Sequence, residues 1–192
     1  MLASNWGGHD CSFDNLKVSE PDHASSARHF ERYYETKALS HYLNKSYVSR
    51  SLSGAGSNNH ATMGIRSALP HLFELLKITS VLDVPCGDFN WAKEVTGSQQ
   101  ATAADLRYVG GDIVHHLVTA LQAQHGRSDR RVEFMHLDLS RHMLWPVDLV
   151  IVRDLLFHFD KARVLDVRID GRPNWRPACR RACREGARVR VL

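Results

Sequence analysis

The stretch that decides the fold reads SVLDVPCGDFNW and covers residues 80–91. Val81, Leu82 and Val84 are apolar, as expected of a parallel strand that is buried on both faces. An acidic turn with one glycine follows, and after it the sequence favours a helix. Because backbone N–H groups at such a turn and at a helix N-terminus face a ligand, the stretch indicates a nucleotide-cofactor loop.

Three further β-type runs follow and alternate with helical or loop segments. They cover 108–113, 132–139 and 148–152. Apolar residues at helical spacing predict helices within 25–48, 60–77 and 114–125, and a Gly/Ser/Asn loop covers 49–59. Strands that alternate with helices are typical of a parallel sheet with helices on both faces. The predicted fold class is therefore α/β.

An acidic residue lies at or near the end of each predicted strand. Asp83 lies in the first strand, Asp112 near the end of the second and Asp138 at the end of the third, while Asp154 follows the fourth. In an open α/β sheet, ligands bind outside the carboxyl ends of the strands. Acids there can accept from ribose hydroxyls, from an adenine amino group and from an ammonium group. These are the parts needed to hold S-adenosylmethionine.

From about residue 53 to 160 the chain resembles the class I S-adenosylmethionine-dependent methyltransferases, which have a Rossmann-like fold. The matching motifs are DVPCGD at 83–88, YVGGD at 108–112, LDL at 137–139 and DLVIVRD at 148–154. The loop SGAGS at 53–57 also resembles a small-residue loop that closes over the cofactor in some subfamilies. The resemblance implies S-adenosylmethionine as cofactor and methyl transfer to an acceptor that the sequence does not identify.

The resemblance also implies which residues contact the cofactor, and they fall in the turn, the strand ends and the small-residue loop. They are Asp83, Pro85, Cys86, Gly87, Asp88, Asp112, Ile113, Asp138, Leu139, Gly54, Gly56 and Ser57. Structural alternatives stay open for three of the acids. Asp83 and Asp88 are also candidates for the N-cap of the following helix, and Asp138 for a simple strand-end turn. Cys86 is interpreted as a small turn residue rather than a nucleophile.

The first motif departs from the family pattern of acid-x-Gly-x-Gly-x-Gly. Pro85 stands in place of the first glycine and Phe89 in place of the last, which leaves Gly87 alone. Without three glycines the backbone cannot approach a pyrophosphate closely, and this argues against a nicotinamide dehydrogenase. The distance from Asp83 to Asp112 is long for a dinucleotide fingerprint, so we expect 99–107 to loop out.

The residues after the fourth predicted strand are the candidates for substrate chemistry. Arg153 and Asp154 can orient the acceptor, and His158 can take its proton as a general base. The alternative is that 155–159 is only the apolar start of the next helix. No Asn/Asp-Pro-Pro-aromatic sequence occurs, which argues against the exocyclic amine of a nucleobase as the methyl acceptor.

Composition predicts one core, since 43% of the 192 residues are hydrophobic. We expect no membrane partner, because no window approaches the roughly 18 apolar residues of a membrane span, and a cytoplasmic protein, because no secretory signal is seen. The four cysteines are predicted to be free thiols, and no Cys/His spacing indicates a metal site.

The predicted organisation is an N-terminal arm, helix and loop (1–59), a cofactor-binding domain (60–165) and a basic, disordered tail (166–192). The family's domain continues with a fifth strand, so we expect a truncated sheet whose fourth strand is an exposed edge. From 161 to 192 there are ten Lys or Arg and three acids. Two alternatives follow: an inactive cofactor-binding or interaction module, and a nucleic-acid binder acting through the tail.

Overall fold

The computed structural model describes residues 27–36, 51–139, 142, 144, 146–158 and 190–191. The helices are α1 (27–36), α2 (Met63–Leu76), α3 (Ala92–Thr96), α4 (Gln99–Ala103) and α5 (His115–Leu121). A π-helical turn, Gln122–Gly126, extends α5, and 3₁₀ turns cover Ala55–Ser57 and Leu156–His158. The strands are β1 (Ser80–Asp83), β2 (Arg107–Asp112), β3 (Val132–His136), β4 (Leu149–Ile151) and β5 (Arg190–Val191).

The strands form one parallel sheet in the order β3-β2-β1-β4-β5. The direction of strand order reverses at β1, since β2 and β3 lie on one side of it and β4 and β5 on the other. This order and the parallel pairing define an open, Rossmann-like α/β sheet, so the predicted fold class is confirmed. The reversal point, at the carboxyl ends of β1 and β4, is where such sheets bind ligands.

Alternation along the strands gives the sheet two apolar faces. Val81, Tyr108 and Ile151 belong to one buried cluster, whereas Leu82 and Val109 belong to a second cluster on the opposite face. Both faces of the central strands are therefore withdrawn from water, as the continuous apolar run of β1 predicts.

All five described helices contribute to the first face. α2 buries Leu69 and Phe73 there, although Pro70 lies between them in the sequence. The prediction that 99–107 loops out is wrong over its first half, because α4 forms at Gln99–Ala103. Ser98 caps this helix by accepting a hydrogen bond from the backbone N–H of Ala101 at 3.2 Å, which satisfies one of its free donors.

The second face is covered, within the described part of the chain, by residues that follow β3 and precede or follow β4. They are Leu137, Leu139, Leu144, Val147 and Leu155. The predicted helix within 25–48 is present at 27–36, and its remainder lies outside the described residues, as do the arm before it and most of the basic tail. Among the helices that are described, none is long and apolar enough to cross a membrane.

The expected exposed edge at β4 is wrong. β5 pairs with it in parallel, with Leu149 opposite Arg190 and Val150 opposite Val191. The last residues, Arg188 to Leu192, alternate arginine with apolar residues, and this alternation suits a strand. A short fifth strand therefore extends the sheet beyond β4, where we expected none.

Candidate functional site

Parallel pairing brings three of the predicted acids to one edge of the sheet. Asp83 is opposite Gly110 in β2, and Asp112 is opposite His136 in β3, two residues before Asp138. All three carboxyl-bearing residues are buried, with exposed fractions of 1%, 3% and 7%. The edge therefore carries a row of shielded acids beside the point where strand order reverses.

Asp83 is the most enclosed of these acids. Its Oδ2 accepts a hydrogen bond from the Tyr108 hydroxyl at 2.7 Å, whereas its Oδ1 is buried without a hydrogen-bond partner. Burial raises the pKa of Asp83 to about 7, and the Tyr108 hydrogen bond and the charge of Arg153 only partly offset that increase. A buried carboxylate with an unused oxygen favours a cationic hydrogen-bond donor.

Asp112 links the turn after β1 to the end of β2. One carboxylate oxygen accepts from the backbone N–H of Gly87 at 3.1 Å, and the other accepts from that of Val114 at 3.0 Å. Burial raises its pKa to about 6, against the lowering effect of these backbone donors. Each carboxylate oxygen has a second lone pair, so Asp112 can still accept from ribose hydroxyls.

Asp138 and Leu139 lie in a turn that follows β3, and both are buried. The Asp138 backbone N–H donates to Nδ1 of His142 at 2.8 Å, and the His142 backbone N–H donates to the Asp138 carbonyl at 2.9 Å. These backbone hydrogen bonds support the interpretation of Asp138 as a strand-end turn residue. Its contact with adenine stays a prediction.

The turn after β1 is compact and contains a cis peptide bond between Val84 and Pro85. The Cys86 N–H donates to the Gly111 carbonyl at 2.8 Å, which ties the turn to β2. Burial raises the pKa of the Cys86 thiol well above its usual value, so the thiolate is disfavoured, in keeping with a turn residue rather than a nucleophile. Gly87 has φ +56°, a left-handed conformation that glycine adopts at little cost.

Phe89 occupies the place of the last family glycine and also has a positive φ, +57°. Such a conformation is strained for a bulky side chain. The ring is buried and packs against Phe134 and Tyr108, at centroid distances of 4.9 and 5.2 Å. Aromatic packing therefore holds a backbone conformation that glycine would adopt freely.

Residues 51–57, called here the strap, lie directly over this turn. Asp88 accepts from the Ser51 hydroxyl at 2.9 Å and from the Leu52 backbone N–H at 2.6 Å. In return the Asp88 N–H donates to the Ser53 hydroxyl at 2.8 Å, and that hydroxyl also bonds the Tyr34 hydroxyl at 2.7 Å. A Cβ on Gly87 would collide with Ser53, so only glycine permits this approach.

These contacts give Asp88 a structural role that differs from the predicted N-cap. Helix α3 begins after Trp91, whose side chain makes no capping hydrogen bond, so the N-cap assignments of Asp88 and Asp83 are both wrong for this helix. Asp88 instead holds the strap and accepts from the Asn90 N–H at 3.2 Å. Its contact with a cofactor stays a prediction.

The small residues of the strap contact different parts of the site. The Gly56 carbonyl accepts from the Arg153 guanidinium, and the Ser57 carbonyl accepts from the Asn90 side-chain amide at 3.1 Å. Gly54 has φ +102°, so a side chain there would be strained. The predicted loop is thus brought to the turn, as the resemblance implies, but in this structure it contacts the turn itself.

The three candidate catalytic residues are all engaged in contacts. Arg153 pairs with Asp154 at 3.0 Å and lies over the Trp91 ring at 5.9 Å. His158 packs edge-on against Phe30 of α1 at a centroid distance of 5.6 Å. The structure brings Arg153 and Asp154 to the strap and His158 to α1, and the catalytic roles of all three stay predictions.

Sequence reasoning missed the residues that organise this site. Tyr34, Ser51, Ser53 and Tyr108 all donate or accept hydrogen bonds at the turn or at its acids. The sequence could have indicated Tyr108, since it lies four residues before Asp112 in the same β-type run. Ser53 begins the small-residue loop at 53–57 that resembles a cofactor loop, whereas Tyr34 and Ser51 lie in segments with no cofactor-type motif.

A groove of about 510 Å³ lies elsewhere, near the amino end of β1 between α2 and α4. Its walls include Phe73, Lys77, Thr79 and Gln100. None of the predicted site residues lines it, and it contains none of the strand-end acids. The strand-end edge, and not this groove, is therefore the candidate site.

No protein-family model and no curated protein matches this chain. Among solved structures, it is similar to magnesium protoporphyrin IX methyltransferase from Synechocystis PCC 6803 with bound SAM. The two are 14% identical, with a TM-score of 0.47 over 79% of this chain and 70% of the other. A protein from Pyrococcus horikoshii OT3 is 20% identical, with a TM-score of 0.45 over 65% of this chain and 57% of the other.

Human N-acetylserotonin methyltransferase in complex with SAM is 14% identical, with a TM-score of 0.39 over 68% of this chain and 43% of the other. The chain thus spans less than two thirds of several solved structures that it matches, with 57%, 28% and 55% of the length covered in three of them. The fold assignment rests on the strand order of this chain itself.

Proposed function

We propose that this chain is an S-adenosylmethionine-dependent methyltransferase that binds its cofactor at the carboxyl ends of β1, β2 and β3. The observation that carries the proposal is the buried carboxyl of Asp83 with its unused Oδ1, beside the buried carboxyl of Asp112. Burying two carboxyls costs free energy, and a ligand that carries an ammonium and a sulfonium group offsets part of that cost.

The residues of this edge fit the cofactor by type. In the proposal Asp83 accepts from its ammonium group, Asp112 from its ribose hydroxyls and Asp138 from its adenine amino group. The turn residues Pro85, Cys86, Gly87 and Asp88, the strand-end residues Ile113 and Leu139, and the strap residues Gly54, Gly56 and Ser57 enclose it. The sulfonium supplies an electrophilic methyl group, and the chain contributes chiefly orientation.

The proposed acceptor side lies where the strap meets the end of β4. Arg153 contacts Gly56 of the strap, and its charge lowers the pKa of Asp83. In this role Arg153 and Asp154 orient the acceptor, and His158 takes the proton that the acceptor loses. The proposed location is the cytoplasm, in keeping with the free, buried thiol of Cys86.

Equilibrium dialysis with labelled S-adenosylmethionine tests this function. We expect micromolar binding by the unmodified chain and at least about tenfold weaker binding by Asp112→Ala, because the ribose loses a charged acceptor. Asp112 also supports the backbone of Gly87, so Asp112→Asn is measured beside it, since an amide retains an acceptor oxygen. Asp129→Asn, at a half-buried Asp129–Arg131 pair away from the strand-end acids, is the matched control and should bind normally.

The other outcomes separate the rival functions. Absence of binding by the unmodified chain would overturn the proposal. Binding that Asp112→Ala abolishes, without methyl transfer to any component of a cell extract, would favour an inactive cofactor-binding module. A steep salt dependence of RNA or DNA binding would instead favour a nucleic-acid binder acting through the basic tail.

A further inference from the structure

Tyr108 and Asp83 form a buried pair across neighbouring strands. The hydroxyl of Tyr108 donates to Asp83 Oδ2 at 2.7 Å, and the two residues are 3% and 1% exposed. Tyr108 is opposite Val81 in the register, two residues before Gly110, which is opposite Asp83. A Cβ on Gly110 would collide with the Phe134 ring and with Cys86, so the side chains around this pair are closely packed.

The pair leaves the two oxygens of Asp83 unequal. Oδ2 has a partner on β2, whereas Oδ1 is buried and has none. A carboxylate can rotate about its Cβ–Cγ bond, so a single strong donor on one oxygen also fixes the direction of the other. An ammonium group that binds Oδ1 then meets an acceptor that is already oriented, so binding loses little free energy to ordering the carboxylate.

We infer that Tyr108 is a positioning residue for the cofactor, because its hydroxyl fixes Asp83 Oδ2 and thereby leaves Oδ1 to accept from the ammonium group of S-adenosylmethionine. This inference rests on the proposed function. Tyr108 itself touches Asp83 and not the cofactor.

The charged and titratable groups around Asp83 come from three elements. Tyr108 and Asp112 belong to β2, Arg153 follows β4, and Cys86 lies in the turn after β1. Burial raises the pKa of Asp83 to about 7; Tyr108 and Arg153 lower it, and Asp112 raises it. The Tyr108 hydroxyl therefore favours the ionised carboxylate that an ammonium group requires.

The substitution Tyr108→Phe removes the donor and keeps a ring that can pack against Phe89 and Phe134. A hydrogen bond to a charged group corresponds to about one pKa unit or more, so the titration midpoint of Asp83 should rise by about one pH unit. Carbon-13 NMR of the Asp83 carboxyl measures this shift on the chain without cofactor. At pH 7 the affinity of Tyr108→Phe for S-adenosylmethionine should be about fivefold below that of the unmodified chain, and the two affinities should converge by about pH 9, where Asp83 is ionised in both.

Two variants serve as controls. Tyr34→Phe removes another buried tyrosine hydroxyl, one that bonds Ser53, and should leave the Asp83 midpoint unchanged. In an Asp83→Asn background, addition of Tyr108→Phe should produce no further change in the pH profile of binding.

The outcomes separate this inference from the proposed function. Failure of the unmodified chain to bind S-adenosylmethionine at any pH overturns the proposed function and the ammonium contact with it. Normal binding by the unmodified chain, combined with an unmoved Asp83 midpoint in Tyr108→Phe, overturns the role of Tyr108 alone. A loss of affinity that is equal at every pH also overturns it, since a merely structural role predicts that result.

Discussion

Burial of the Asp83 and Asp112 carboxyls costs the fold free energy when these groups are ionised. Both carboxyls are shielded from water, and their pKa values are raised from 3.8 to about 7 and about 6, chiefly by burial. A carboxyl whose folded pKa lies above its unfolded pKa stabilises the fold fully below the unfolded value. That contribution is lost as the pH rises through the folded value.

Asp83→Asn tests whether the buried Asp83 carboxyl lowers the stability of the fold at neutral pH. Between about pH 4 and pH 7 the unfolded chain loses the Asp83 proton before the folded chain does, so the free energy of unfolding falls in the unmodified protein. Asparagine does not titrate, so the variant should gain stability relative to the unmodified chain over that range, by up to about 4 kcal/mol at pH 8. Urea unfolding at pH 4, 6 and 8 measures the difference.

Asp129→Asn is the matched control for that series. The hydrogen bond from Arg131 lowers the pKa of Asp129, so its stabilising contribution is present at neutral pH and is lost as the pH falls through the folded value. The control should therefore lack any gain at pH 8. An Asp83→Asn difference that stays constant from pH 4 to pH 8 would contradict a raised pKa at Asp83.

The positions of the strand-end acids could be predicted from sequence, but the side chains that bond to them could not. Apolar runs fixed where Asp83, Asp112 and Asp138 lie, because parallel strands deliver their ends to one edge. The hydrogen bond between Tyr108 and Asp83 depends on the register of β1 and β2, which a single sequence does not display.

Among the elements, the strap is the one whose attachment the sequence explains least. Its small residues were predicted to close over a cofactor, and they do lie over the turn. Its attachment runs through Asp88, Tyr34 and Arg153, which belong to three different segments. Such contacts between distant segments arise from tertiary packing and leave no local pattern.

Asp88→Ala is expected to release the strap. The substitution removes the acceptor for the Ser51 hydroxyl and the Leu52 N–H, and hydrogen bonds to a carboxylate are worth more than neutral ones. Amide hydrogen exchange at 51–57 should accelerate by at least about tenfold, while exchange in β1 and β2 stays slow. Unchanged exchange in the strap would show that Asp88 is not its anchor.

The other elements show where pattern reasoning succeeds and fails. The central strands lie within one or two residues of their predicted runs, because a buried strand needs continuous apolar residues. Helix α4 was missed, since QQATA has no apolar periodicity and the helix depends on its Ser98 cap and on burial of Ala101. Short helices of this kind are decided by caps and packing.

At the scale of the whole molecule, one sheet order accounts for the site. The order β3-β2-β1-β4-β5 places the acids of β1, β2 and β3 side by side and sets Arg153 across the reversal point from them. The alternation of strands and helices predicted this parallel sheet. It did not predict β5, because the alternation at 188–192 is short and lies in an arginine-rich segment that the composition assigned to a disordered tail.

The central claim is that this row of buried acids binds S-adenosylmethionine as a cation, and titration calorimetry tests it most directly. The titration is run at pH 6.5 in two buffers whose ionisation enthalpies differ, so the heats report protons released on binding. With pKa values of about 7 and about 6, the two carboxyls are each partly protonated at pH 6.5. Micromolar binding of a cation should ionise them, so each carboxyl should release a fraction of a proton. Absence of binding, or binding with no proton release, would contradict the account.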